Sequence, residues 1–112
     1  MDDMKALVDE IGSGLKKFSD KTPEQMSAFR KLMGQVLKEG MLDVKTKELI
    51  AVALSVASQC GWCISLHVKK ALEIGATPEE IREACWVAVL MGGGPSLMYF
   101  QMAEKAIEDF EK

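Results

Sequence analysis

The chain has no run of about 18 apolar residues, which excludes a membrane-spanning helix. It has no excess of positive charge: 14 Lys and Arg stand against 17 Asp and Glu, for a net charge of −3. The two signs are intermixed, so the clustered basic surface of a nucleic-acid-binding protein is missing. The first residues, Met1-Asp2-Asp3-Met4-Lys5, lack a basic stretch followed by an apolar one. No secretory signal is read there, and the expected location is cytoplasmic. β-branched residues are sparse and few windows alternate with period two, which leaves little from which to build a sheet. Cysteine is scarce and its count odd, at 3. Without an export signal this argues against a stapling disulfide framework, and a C-x-x-C in such a chain reads as redox or metal chemistry. There is a single histidine, His67.

What remains is a chain that is 48% hydrophobic and 28% charged, able to build a core and stay in solution. Its 112 residues fit one domain, 1–112. The apolar positions recur at helical spacing throughout. Met4, Leu7, Val8, Ile11 and Leu15 mark a helix over 2–17, weakened by Gly12 and Gly14, with a turn at Ser19-Asp20-Lys21. Thr22-Pro23-Glu24-Gln25 predicts a helix start, with Thr22 as N-cap and Gln25 closing a capping box. That helix runs to about Glu39 on a stripe of Met26, Phe29, Leu32, Met33, Val36 and Leu37. Asp43 caps the next, over 44–59, which is apolar nearly all round from Leu49 to Ala57. Another follows over 61–74 and ends at Gly75. Thr77-Pro78-Glu79-Glu80 repeats the start signal for a helix carrying Ile81, Ala84, Cys85, Val87, Ala88 and Leu90. Gly92-Gly93-Gly94-Pro95 breaks the chain before a last helix over 95–110; the glycines lack the Lys-Ser/Thr of a phosphate loop and read as a helix–helix turn. The expected fold is a small all-α multi-helix bundle. Apolar helices with no wet face in so short a chain point to an oligomer.

The chemistry gathers in Cys60-Gly61-Trp62-Cys63-Ile64-Ser65-Leu66-His67, a C-x-x-C-x-x-x-H run. On a helix, Cys60, Cys63 and His67 fall within about 60° of one another. Cys63 and His67 are one turn apart. Cys60 and Cys63 are close enough to oxidise if the first turn is loose. An ordinary thiol, with a pKa near 8.5, is only about 3% thiolate at pH 7. A helix N-terminus favours the thiolate, and His67 can take the proton. Such an imidazole needs an orienting carboxylate, and Glu48, the acid at the edge of the apolar run on the preceding helix, is the candidate. Three other readings compete. The pair can be two small buried hydrophobes. Cys60, Cys63 and His67 can hold zinc with Glu48 or Cys85 as a fourth ligand, although no separate Cys/His pair supplies the usual second half of a structural site. The pair can also be a disulfide switch on an oligomer with another task. Cys85 lies on an apolar stripe and reads as an inert core thiol. Trp62 and Trp86 read as packing or interface residues, with Trp62 placed to wall the thiols; the methionines read as core filler.

Glu48, the C-x-x-C-x-x-x-H run, Lys47-Glu48-Leu49-Ile50-Ala51-Val52-Ala53 before it and Gly75-Ala76-Thr77-Pro78-Glu79-Glu80-Ile81 after it resemble the alkylhydroperoxidase D-like branch of the carboxymuconolactone decarboxylase family. The resemblance covers about residues 25–110. It implies an all-α fold assembled as trimers or hexamers, and a thiol-dependent peroxidase or disulfide reductase; no cofactor and no metal are expected. It also implies roles: Cys63 attacks the peroxide, Cys60 resolves, and His67 and Glu48 relay the thiol proton. The expected partners are a small hydroperoxide, an external dithiol and further copies of the chain; the intermixed charge and the lack of a long apolar run leave neither nucleic acid nor membrane among them. Trp62 stands where the best-studied members carry histidine. The decarboxylase branch lacks the C-x-x-C pair.

Overall fold

The computed structural model describes residues 3–111; Asp2, which the periodicity places in the first helix, lies outside them. Six helices follow one another: α1 (Met4–Lys21), α2 (Pro23–Leu37), α3 (Val44–Ala57), α4 (Gly61–Glu73), α5 (Pro78–Gly92) and α6 (Gly94–Glu111). No strand occurs among the described residues. The all-α expectation holds.

Several boundaries differ from the sequence reading, each for a local reason. α1 is neither broken at its glycines nor ended at Ser19. The backbone ladder carries past Ser19 to the Thr22 N–H, which donates to the Phe18 carbonyl at 2.7 Å, while the Ser19 and Thr22 hydroxyls donate back to the Leu15 and Phe18 carbonyls at 3.1 and 2.9 Å. Burial of Met4 and Leu7 outweighs the cost of Gly12 and Gly14, about 1 kcal/mol each. The capping box predicted at Thr22 does not form. Thr22 is also the C-cap of α1, and its hydroxyl is turned backward to Phe18. The box at Thr77 does form: the Glu80 backbone N–H donates to Thr77 Oγ1 at 3.1 Å, and the Thr77 N–H donates to Glu80 Oε1 at 2.9 Å. α2 stops at Leu37, before Gly40, and its end is held by Lys47, whose ammonium donates to the Val36 and Lys38 carbonyls at 2.8 and 2.6 Å. The predicted break at 92–95 shrinks to Gly93, with φ 72° and ψ −152°, a conformation essentially reserved for glycine. A side chain at Gly92 would collide with the buried Ser96, so α5 and α6 meet at this corner only because Gly92 has none.

α3 packs against α4 and α5, and α6 lies against the same two helices; α1 covers one side through α4 and α6. Met4, Val52, Val56, Ile64, Val68, Ile81 and Cys85 are fully buried between them. Polar ties cross the seams. Arg82 on α5 clamps Glu104 on α6 with two hydrogen bonds of 2.8 Å, and Lys45 on α3 meets Glu80 on α5 at 2.9 Å. α2 is the exception. It touches only α1 and α3, and although Met26 is buried, Phe29, Leu32 and Val36 of its apolar stripe face outward. Ile50 and Leu54 on α3 and Trp86, Val87, Leu90 and Met91 on α5 are exposed as well. The stripes were read correctly as apolar, but part of each has no covering within one chain.

Candidate active site

The site is built where α3 hands over to α4. α3 closes with a double-bonded C-terminal motif. The Gln59 N–H donates to the Val56 carbonyl at 3.2 Å, and the Cys60 N–H donates to the Ser55 carbonyl at 3.1 Å. Gln59 carries the left-handed turn, with φ 60°, that this motif needs and that glycine usually supplies. Cys60 is therefore anchored to the end of α3. It is also the N-cap of α4, with extended backbone, and its sulfur accepts the Cys63 N–H at 3.2 Å. The sequence reading placed Cys60 on the same helical face as Cys63 and His67. The structure places it one step outside the helix, the loose first turn that a Cys60–Cys63 disulfide requires. That disulfide is formed, with the Cα atoms 5.2 Å apart. Both cysteines are half-buried.

One turn beyond Cys63, His67 Nδ1 lies 2.8 Å from Glu48 Oε1. Glu48 comes from α3 and is almost wholly buried, its side chain 5% exposed; His67 is 20% exposed. An ionised carboxylate only accepts, so Nδ1 carries the proton and Nε2 is left as the ring's free acceptor. The imidazole is thus fixed in tautomer and orientation by a group on the neighbouring helix. The four residues singled out from sequence lie along one α3–α4 seam.

The remaining cysteine does not join them. Cys85 is buried in the core, and burial pushes its thiol up to about 12. Among the described residues no group of three or more His, Cys, Asp and Glu side chains is arranged to hold a metal ion.

Sequence reasoning set Trp62 beside the thiols but missed what holds it there. Trp62 is 57% exposed, yet its indole N–H donates to Glu10 Oε2 on α1 at 2.9 Å. Its backbone carbonyl accepts the hydroxyl of the buried Ser65 at 2.8 Å. Beside it an open cleft of about 420 Å³ is lined by Leu7, Glu10, Gln59, Gly61, Trp62, Tyr99 and Met102. No periodicity or motif links positions 52 residues apart, so nothing in the sequence could have paired Glu10 with Trp62.

The fold recurs among solved structures. A carboxymuconolactone decarboxylase family protein from Legionella pneumophila superposes with a TM-score of 0.88 at 46% identity, covering 99% of this chain and 96% of that one. One from Thermotoga maritima, for which an involvement in the antioxidative response has been raised, gives 0.83 at 30% identity, covering 91% and 87%. An uncharacterized protein of Cupriavidus necator is 38% identical over 109 residues, 97% of this chain and 94% of its own length. Another, encoded in the cox locus of Paracoccus denitrificans, is 43% identical over 84 residues, 75% and 76% of the two chains. With the six helices in place, the match of residues 23–103 to the carboxymuconolactone decarboxylase family takes in α2 to α5, most of α6 and every residue of the Cys60–Cys63–His67–Glu48 seam, and the chain belongs to that family.

Proposed function

We infer that the protein is a thiol-dependent peroxidase whose redox centre is the Cys60–Cys63 pair. The observation that carries this is the Glu48–His67 hydrogen bond set one helical turn from a half-buried dithiol able to close into a disulfide. In the reduced protein His67 takes the Cys63 proton through its free Nε2, and Glu48 offsets the charge that appears on the ring. The Cys63 thiolate attacks the terminal oxygen of a hydroperoxide. The O–O bond breaks, the alkoxide leaves as the alcohol with the proton that His67 returns, and Cys63 becomes a sulfenic acid. The Cys60 thiol condenses with it, forming the disulfide and releasing water. An external dithiol then reduces the pair by two thiol–disulfide exchanges and is itself oxidised to a disulfide. The antioxidative role raised for the Thermotoga maritima relative is in keeping with this cycle.

The working form is an oligomer. The uncovered apolar side chains of α2, α3 and α5 are too many for one chain to leave in water, and a second copy bearing the same stripes covers them. Trimers and hexamers are the assemblies to look for, and a monomer at micromolar concentration in sedimentation would refute the assignment.

Cys63→Ser and Cys60→Ser each abolish dithiol-dependent consumption of hydroperoxide. Wild-type turnover in both variants would overturn the mechanism.

A further inference from the structure

Trp62 sits between the two cysteines and is pinned twice, by Ser65 through its backbone and by Glu10 through its indole. An exposed tryptophan held in one orientation by a residue from another helix is a wall. What it walls is the cleft. Leu7 lies on the α1 side, Tyr99 and Met102 of α6 lie opposite, and Gln59 and Gly61 bring the chain along its end. Cys60 lies between those last two residues, so whatever fills the cleft abuts the redox turn. Gly61 belongs to this packing: a Cβ there would come within 2.8 Å of the Met102 methyl. The lining is mainly aromatic, aliphatic and thioether, with one amide and the phenol of Tyr99. Its single charged group is the Glu10 carboxylate, already engaged by the indole. Such a surface favours an uncharged apolar group and repels an anion.

We propose that Glu10 is a positioning residue, which pins the Trp62 indole as one wall of a cleft that takes the uncharged, apolar tail of the hydroperoxide beside the Cys60–Cys63 pair. This rests on the peroxidase reading for its substrate, but not for its geometry, and the test separates the two. Full-length protein carrying Trp86→Phe keeps Trp62 as its one indole. In that background, 2-phenyl-2-propanol, an unreactive aryl alcohol, is titrated against Trp62 emission, with benzoate as the anionic control. The alcohol binds and benzoate does not. Glu10→Leu frees the indole, raising its accessibility to acrylamide, and weakens alcohol binding about fivefold, the size of one net hydrogen bond. Glu10→Gln, whose amide oxygen still accepts the indole N–H, falls between wild type and Glu10→Leu in both measurements. Glu10 is exposed, so its replacement costs the fold no more than about the one indole hydrogen bond, and thermal unfolding of each variant is followed to confirm that it remains folded at the temperature of the titration. The proposal is overturned if the alcohol does not bind to saturation, if benzoate binds equally well, or if Glu10→Leu leaves emission and affinity unchanged. None of these readouts requires peroxide turnover. A protein that binds the alcohol as described but consumes no hydroperoxide refutes the peroxidase reading alone.

Discussion

Replacing Glu48 is the sharpest probe of the relay. The carboxylate is buried, accepts a 2.8 Å hydrogen bond from His67, and lies on a different helix from the cysteines, so a change there leaves the dithiol itself untouched. A hydrogen bond to a charged group contributes about 1.5–3 kcal/mol net, and a neutral one about 0.5–1.5 kcal/mol. Glu48→Leu removes the whole interaction and leaves the ring N–H unpaired. The expected slowing of Cys63 oxidation is about 12- to 140-fold, at 1.4 kcal/mol per factor of ten. Glu48→Gln keeps an acceptor oxygen at the same reach but not the charge, and loses about half as much free energy, or about 3- to 12-fold in rate. The assay is stopped flow: pre-reduced protein is mixed with excess hydroperoxide and the oxidation followed by tryptophan emission. Each variant is checked for an unchanged unfolding midpoint. The ordering Glu, Gln, Leu is the signature of the relay. If Glu48→Leu oxidises within about twofold of wild type, the carboxylate has no part in activating the thiol and its hydrogen bond is structural only.

Other outcomes follow from the same geometry. Gln59→Gly removes a left-handed non-glycine residue that costs roughly 1–2 kcal/mol, partly offset by glycine's greater freedom when unfolded, so the unfolding free energy of the oxidised protein in a urea titration should rise by about 0.5–1 kcal/mol. Thiol titration near pH 8 should find no reactive thiol in the oxidised native protein, two after reduction and three after reduction and unfolding, because burial keeps Cys85 protonated; three in the native reduced protein would refute the inert-core assignment. Three carboxyls are held below their ordinary range: Asp43 by the Thr46 hydrogen bonds, Glu80 by the Thr77 N–H and Lys45, and Glu104 by Arg82. A depressed carboxyl stabilises the fold above its unfolded value and loses that contribution as pH falls through its folded one. Stability should therefore decline below the ordinary values of 4.5 for Glu and 3.8 for Asp, and Glu104→Gln should shrink the decline in urea midpoint between pH 7 and pH 3.

The sequence was most legible where chemistry is local. Asp43 and Thr77 cap the helices they were expected to cap, because their signals lie within four residues and nothing competes. Thr22 carries the same Thr-Pro-Glu text and fails, because the preceding helix claims its hydroxyl first, and that claim depends on where α1 stops. The Glu48–His67 contact was foreseen because only one histidine and one acid beside the apolar run were available to pair. The position of Cys60 was seen only in part. Spacing puts it on the helical face with Cys63, but the backbone at the α3 end turns it into a cap, and that turn rests on a left-handed glutamine no pattern announces. Tertiary pairs such as Glu10 with Trp62 had no signal at all.

Cys60 serves two helices at once: its amide finishes α3 and its sulfur begins α4. The junction between the two helices is only three residues long, Ser58 to Cys60, and its last residue is fastened on both sides. Reducing the disulfide would cut a sulfur–sulfur tether but not the bond from the Cys60 amide to the Ser55 carbonyl, so the proposed relay should keep its alignment through the proposed cycle without having to be rebuilt. Lengthening the junction by a single inserted residue would cut that fastening, letting α4 swivel and carrying His67 away from its acid while every reactive group stays present.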